Sequence, residues 1–104
     1  MLNPQVKEIL LKNWGEKADS MNCYCEVKFI DPLSSWACYI YAMNPKDEDE
    51  IACMVYDHGE VEVCDWSMKE LMLTYNREGE YPEIDHEYRR KRASELFKKL
   101  NEEI

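Results

Sequence analysis

The stretch "WACYIYAMNPKDEDEIACMVYDHGEVEVCDW", residues 36–66, decides the fold. Its first part, "WACYIYAM", is apolar on both alternating faces. That pattern fits a central strand covered on both sides, or a strand with aromatic residues exposed on one. Tyr39 and Tyr41 share one face, with Trp36, Cys38 and Ile40 out of phase with them. "IACMVY", residues 51–56, is again apolar throughout. "DHG", residues 57–59, reads as a tight hairpin turn, with Gly59 suited to a left-handed position. "EVEVCDW", residues 60–66, alternates, with Val61 and Val63 opposed to Glu60 and Glu62. Upstream, "CYCEVKFI", residues 23–30, also alternates: Cys23, Cys25, Val27 and Phe29 face one way, and Tyr24, Glu26 and Lys28 the other. "DPLSS" after it is turn chemistry. Four strands with short connections make an antiparallel meander.

Helices flank the meander. Asn3 and Pro4 suit an N-cap and first helical position. Val6, Ile9, Leu10 and Trp14 recur at helical spacing before a stop at Gly15. Residues 16–22 read as a polar connector. "SMKELM", residues 67–72, opens with capping-box spacing between Ser67 and Glu70, and residues 76–84 read as a loop. Residues 85–104 read as a closing helix, with Asp85 as its cap and Ala93, Leu96, Phe97, Leu100 and Ile104 as its apolar stripe. The expected fold is α+β: one domain over residues 1–104, with a four-stranded antiparallel sheet packed against N- and C-terminal helices.

The 104 residues include 45% hydrophobic and 12% aromatic side chains, which excludes a disordered tail. No apolar run approaches the roughly 20 residues that span a bilayer. The N-terminus lacks the apolar block of a signal peptide. The simplest reading is a cytoplasmic protein. The five cysteines sit inside apolar segments without a repeated spacing, as buried small hydrophobes do. The alternative is zinc held by Cys23 and Cys25 with Cys38 or Cys53, although a one-residue gap is shorter than that of common zinc sites.

Charge is the strongest signal. The chain holds 22 acids and 13 bases, a net charge of −9. Residues 47–87 hold 14 acids against Lys69 and Arg77, a local balance of −12, whereas residues 89–104 carry a balance of +3. An acidic surface repels nucleic acid and attracts basic protein surfaces. The densest run, Asp47, Glu48, Asp49 and Glu50, reads as a hairpin loop after the turn residues Asn44 and Pro45. It lacks the glycine and ligand alternation of a calcium loop. It is either a solvated loop tip that keeps a small sheet soluble, or part of a wide negative face that includes Asp57, Glu60, Glu62 and the acids up to Glu87. The basic run at residues 89–92 points all round a helix and so forms no single stripe. It either pairs internally, with the acidic face or with Asp85 and Glu87, or contacts nucleic acid.

Catalytic signals are thin. His58 lies in the turn, and His86 lies between Asp85 and Glu87 with no nucleophile in its motif. There is no nucleophile elbow, phosphate-cradling glycine loop or zinc-protease helix. The reading is a non-enzyme with no cofactor and no metal. Its candidate partner-binding residues are Asp47, Glu48, Asp49, Glu50, Asp57, Glu60 and Glu62. Tyr39 and Tyr41 are an alternative aromatic patch, through which the chain binds a protein partner or forms a homodimer.

The succession "EVKFIDP", "SSWACYIYAMNPKDEDE", "ACMVYDHGEVEV", "WSMKEL" and "PEIDHEYR" resembles an uncharacterised family of small proteins carried by phages, plasmids and other mobile elements. The family pattern runs from an aromatic-rich strand through a W..Y strand, an acidic turn and a glycine-containing hairpin. It closes with F-S-L-x-E-L and a P-x-x-R-D segment. The resemblance spans about residues 20–90. This chain has Trp66-Ser67-Met68 where the family favours Phe-Ser-Leu, and residues 83–86 where it places Arg-Asp. The resemblance carries no catalytic residue. It implies a mobile-element protein acting in the host cell's cytoplasm. Such a protein would inhibit a nucleic-acid-binding defence enzyme of the CRISPR or restriction type by presenting acids to a basic groove.

Overall fold

The structure, a computed structural model, describes residues 2–102. The chain opens with α1 (Pro4–Asn13), where the Asn3 side chain accepts from the Gln5 amide at 2.8 Å and Pro4 occupies the first turn. A single further turn, α2 (Glu16–Asp19), forms in the segment expected to be a connector. Then come β1 (Tyr24–Cys25), β2 (Val27–Ile30), β3 (Ala37–Asn44), β4 (Asp47–Asp57) and β5 (Glu60–Ser67). α3 (Met68–Leu73), β6 (Glu83–Ile84), β7 (Lys91–Arg92) and α4 (Ala93–Glu102) complete the order.

The fold is α+β. The meander of four forms as β2 to β5, but the sheet has a fifth strand: its order is β5-β4-β3-β2-β6, antiparallel throughout. The addition is β6, with Phe29 opposite Ile84 and Ile30 opposite Glu83. Two residues are too few to show a period, so this strand had no sequence signal. A second, two-stranded sheet joins β1 to β7.

Three expectations about local structure are corrected. The segment 23–30 is not one strand. It breaks at Glu26, whose amide donates to the Ile40 carbonyl at 3.0 Å and whose side chain is 6% exposed. Cys23 and Cys25 therefore join one core and Val27 and Phe29 the other. The acidic run is not a loop: the turn is Pro45–Lys46 alone, and residues 47–50 are the first four residues of an eleven-residue strand. The last helix starts at Ala93, eight residues later than expected. Asp85 does not cap it but faces Lys28, at 3.6 Å. Residues 89–92 are thus not helical, and Lys91 and Arg92 are extended because β7 pairs with β1 in the register Tyr24–Arg92 and Cys25–Lys91. Of the expected stripe, Ala93, Leu96 and Leu100 are buried and Phe97 packs against them; Ile104 lies outside the described residues.

The sheet is sandwiched, which explains why β3 and β4 are apolar on both faces. On one face, Leu10 of α1 and Leu71 of α3 pack over Phe29, Ile40, Ile51 and Cys53. On the other, Ala18, Cys23, Cys25 and the α4 stripe pack over Tyr39, Tyr41, Ala42, Ala52 and Met54. Fully burying residues such as Ile40, Ile51 or Met54 stabilises the fold by about 1.5–3 kcal/mol each. A β-bulge interrupts β3. Ile40 pairs with Cys53 and Ala42 with Ala52, so Tyr41 has no opposite number. Its carbonyl accepts instead from the Asn13 side chain at 3.0 Å, which ties the end of α1 to the centre of the sheet. The β4–β5 hairpin closes through His58 (φ 51°) and Gly59 (φ 81°), two successive left-handed residues that match the twist of a two-residue turn.

Candidate partner-binding surface

The acids of β4 are placed by strand pairing, and three of the first four serve the fold. Asp49 accepts from the Ser67 hydroxyl at 2.6 Å and from the Lys69 amide at 2.9 Å. It thereby satisfies an orphan donor at the start of α3, and these two bonds hold its carboxyl below the usual carboxylate range. Glu48 meets Lys7 of α1 at 2.6 Å. Glu50 accepts from the Asn44 amide at 2.8 Å and braces the tight turn. Asp47 is exposed and accepts from the Asp49 amide.

The remaining acids follow β5, an edge strand. Asp57, Glu60, Glu62 and Asp65 are exposed. At one end of β5, the carboxylates of Asp47, Asp49, Glu50, Asp65 and Glu70 surround an open hollow of about 490 Å³ with no Lys or Arg in its lining. Trp66 forms part of its wall and donates from Nε1 to Glu70 at 3.0 Å. At the other end, Asp57, Glu60 and Glu62 border a hollow of about 660 Å³ with Val55 and Val61. His58 Nδ1 lies 2.7 Å from Asp57. Among the described residues, only Glu48 and Asp85 of the fourteen acids between Asp47 and Glu87 have a Lys or Arg ion-pair partner.

The wide face expected to include every acid up to Glu87 is divided. Glu83, Asp85 and Glu87 lie on or beside β6, the opposite edge of the sheet, whereas Asp47, Asp49, Glu50, Asp57, Glu60, Glu62, Asp65 and Glu70 gather along β5. Asp65 and Glu70 join this group because β5 and α3 follow one another around the same hollow. The alternation in residues 60–66 carried part of that signal, and the hollow none of it.

Tyr39 and Tyr41 do not form a docking patch. They are 7% and 3% exposed, covered by the α4 layer. A side chain without solvent access offers a partner no contact area. Desolvation pushes the Tyr41 hydroxyl well above its usual value. Tyr39 packs against Tyr88, with ring centroids 5.8 Å apart, and the Tyr88 hydroxyl donates to the Cys25 carbonyl at 2.8 Å. The exposed aromatics are others: Tyr75 and Tyr81, edge to face at 6.1 Å on the loop before β6.

The basic run is partly self-paired, but with different acids from those expected. Arg90 bonds Glu26 at 2.6 Å and its guanidinium lies 4.1 Å from the Tyr24 ring centre. Arg92 covers the same ring at 5.1 Å and donates to Asn22. Arg92 sits opposite Tyr24 in the β1–β7 pair and Arg90 just ahead of β7, which brings both guanidiniums to the Tyr24 ring. His86 is exposed, and no hydrogen bond or ion pair joins it to another described residue. Four of the five cysteines are buried. The Cys53 and Cys64 sulfurs lie 3.9 Å apart across β4 and β5. Among the described residues no group of three or more His, Cys, Asp or Glu is arranged to hold a metal ion, and no helix is long and apolar enough to cross a membrane. No family model, curated protein or solved structure matches the chain.

Proposed function

We propose that this protein works by binding rather than catalysis, as an inhibitor that presents the β5 edge to a basic surface of a nucleic-acid-binding enzyme. One observation carries the reading: eight carboxylates collect along β5 and its flanks, and among the described residues only Asp57 of the eight has an ion-pair contact, to a histidine. Like charges gathered without counter-charges repel one another, and apart from Asp49 and Glu50, which brace α3 and the turn, folding has no evident use for gathering them. A cationic groove that ordinarily holds phosphates supplies the missing charge and speeds encounter. The resemblance to mobile-element proteins favours a CRISPR effector or restriction enzyme of the host cell as the target class.

The test separates acids that serve the fold from acids that do not. A variant combining Asp47→Asn, Glu60→Gln, Glu62→Gln and Asp65→Asn leaves Glu48, Asp49 and Glu50 in place. Screened against a panel of purified nuclease effectors, the native chain is expected to inhibit at least one at low salt. That inhibition should fade toward 1 M salt, where screening shortens to about 3 Å. The fourfold variant should melt normally and inhibit at least tenfold more weakly. Equal inhibition by both chains would remove the acidic edge from the mechanism.

A further inference from the structure

We infer that the β5 edge receives its partner as an added β-strand: an extended segment with lysine or arginine at alternate positions and apolar residues between them. The inference rests on the acidic-edge reading above and specifies the chemistry of what meets that edge. β5 is the outermost strand, paired with β4 through eight successive residues from Glu60 to Ser67, a run of about 26 Å. Among the described residues, no turn, loop or cap backbone bond and no side-chain bond reaches the backbone of Glu60–Trp66, whereas Ser67 is the N-cap of α3. The strand's outward N–H and C=O groups are therefore an open row. An open row of this length is a template for another strand.

The side chains select the occupant. Val61 and Val63 lie opposite Tyr56 and Met54; Val61 packs against the α4-side core, and Val63, on the same face, is 38% exposed. Glu60 and Glu62 project from the other face, opposite Asp57 and Val55. Asp65 falls on the valine face. A second copy of β5 is a poor occupant, since it brings Glu60, Glu62 and Asp65 again and no Lys or Arg to an edge that is already acidic. A strand with basic residues opposite Glu60 and Glu62 and apolar residues opposite Val61 and Val63 gains charge pairs on one face and apolar contact on the other.

The test uses the full chain and two acetylated peptides of one composition. One alternates lysine and valine over eight residues; the other carries four lysines followed by four valines. Fluorescence anisotropy at low salt is expected to show the alternating peptide binding at least tenfold tighter. Amide exchange should show new protection confined to Glu60–Ser67. Val63→Lys, at an already exposed position, should preserve the melt and weaken the alternating peptide at least tenfold. Equal affinity of the two peptides without new protection in β5 overturns strand addition while leaving the acidic edge as a charged surface. Unchanged affinity of the Val63→Lys variant also overturns it. Failure of both peptides to bind at low salt overturns strand addition and the acidic-edge reading together.

Discussion

Asn13→Ala tests the link between α1 and the sheet. Asn13 is 6% exposed, and its side-chain amide donates to the Tyr41 carbonyl at 3.0 Å. That carbonyl belongs to the bulged residue of β3, which has no opposite number on β4. Without Asn13, the Cys23 thiol at 3.8 Å is what remains beside it, and a thiol is a weak donor. An unsatisfied buried acceptor costs about 1–3 kcal/mol. For a domain of this size each kcal/mol moves the melting temperature by about 4–8 °C, so a loss of about 2 kcal/mol lowers it by about 8–16 °C. Urea unfolding is the assay, with the slope required to match the native chain so that the change reads as stability. Asn13→Leu fills the space without restoring the donor and should lose a similar amount, which separates the hydrogen bond from the cavity. A loss below about 0.5 kcal/mol in both variants, the range of ordinary surface substitutions, would refute the assignment of the bulge carbonyl to Asn13.

Other consequences are open to measurement. Gly59→Ala places a side chain at φ 81° in the β4–β5 turn and should destabilise by about 1 kcal/mol or more; an unchanged melt would contradict the turn geometry. Because its hydrogen bonds depress the folded pKa of Asp49, its contribution is fully present above the unfolded value of about 4 and fades as pH falls through the lower folded value. The stability gap between the native chain and Asp49→Ala should therefore be widest near neutrality and narrow below about pH 4; a gap independent of pH argues against the cap. Desolvation and the neighbouring Cys53 push the Cys64 thiol up to about 12, and burial raises Cys25 further. Iodoacetamide at pH 8, followed by intact mass, should label the folded chain slowly, Cys64 first, and all five cysteines rapidly in urea. Rapid native labelling of Cys25 would show that its core opens. Lys7→Ala breaks an ion pair whose two side chains are about half exposed, so it should cost less than about 1 kcal/mol by urea titration.

Residues 36–66 disclosed the meander because period-two alternation and unbroken apolar runs report how each strand face is covered, and that coverage is local information. Asn3–Pro4, Ser67 and Gly59 announced a helix start, a second helix start and a turn for the same reason: each acts on backbone groups a few residues away. What distant segments do to one another left no such trace. Glu26 turns the chain between two cores by pairing with Arg90, sixty-four residues on. β6 and β7 exist because β2 and β1 offer them edges. Whether Tyr39 and Tyr41 faced solvent depended on where α4 came to rest. The surplus of acids was countable in the chain, but folding divided it, giving some to helix starts and ion pairs, some to the far edge, and the largest share to β5. Charge is additive along a sequence; its convergence is a property of distances between strands, and those exist only once the sheet has formed.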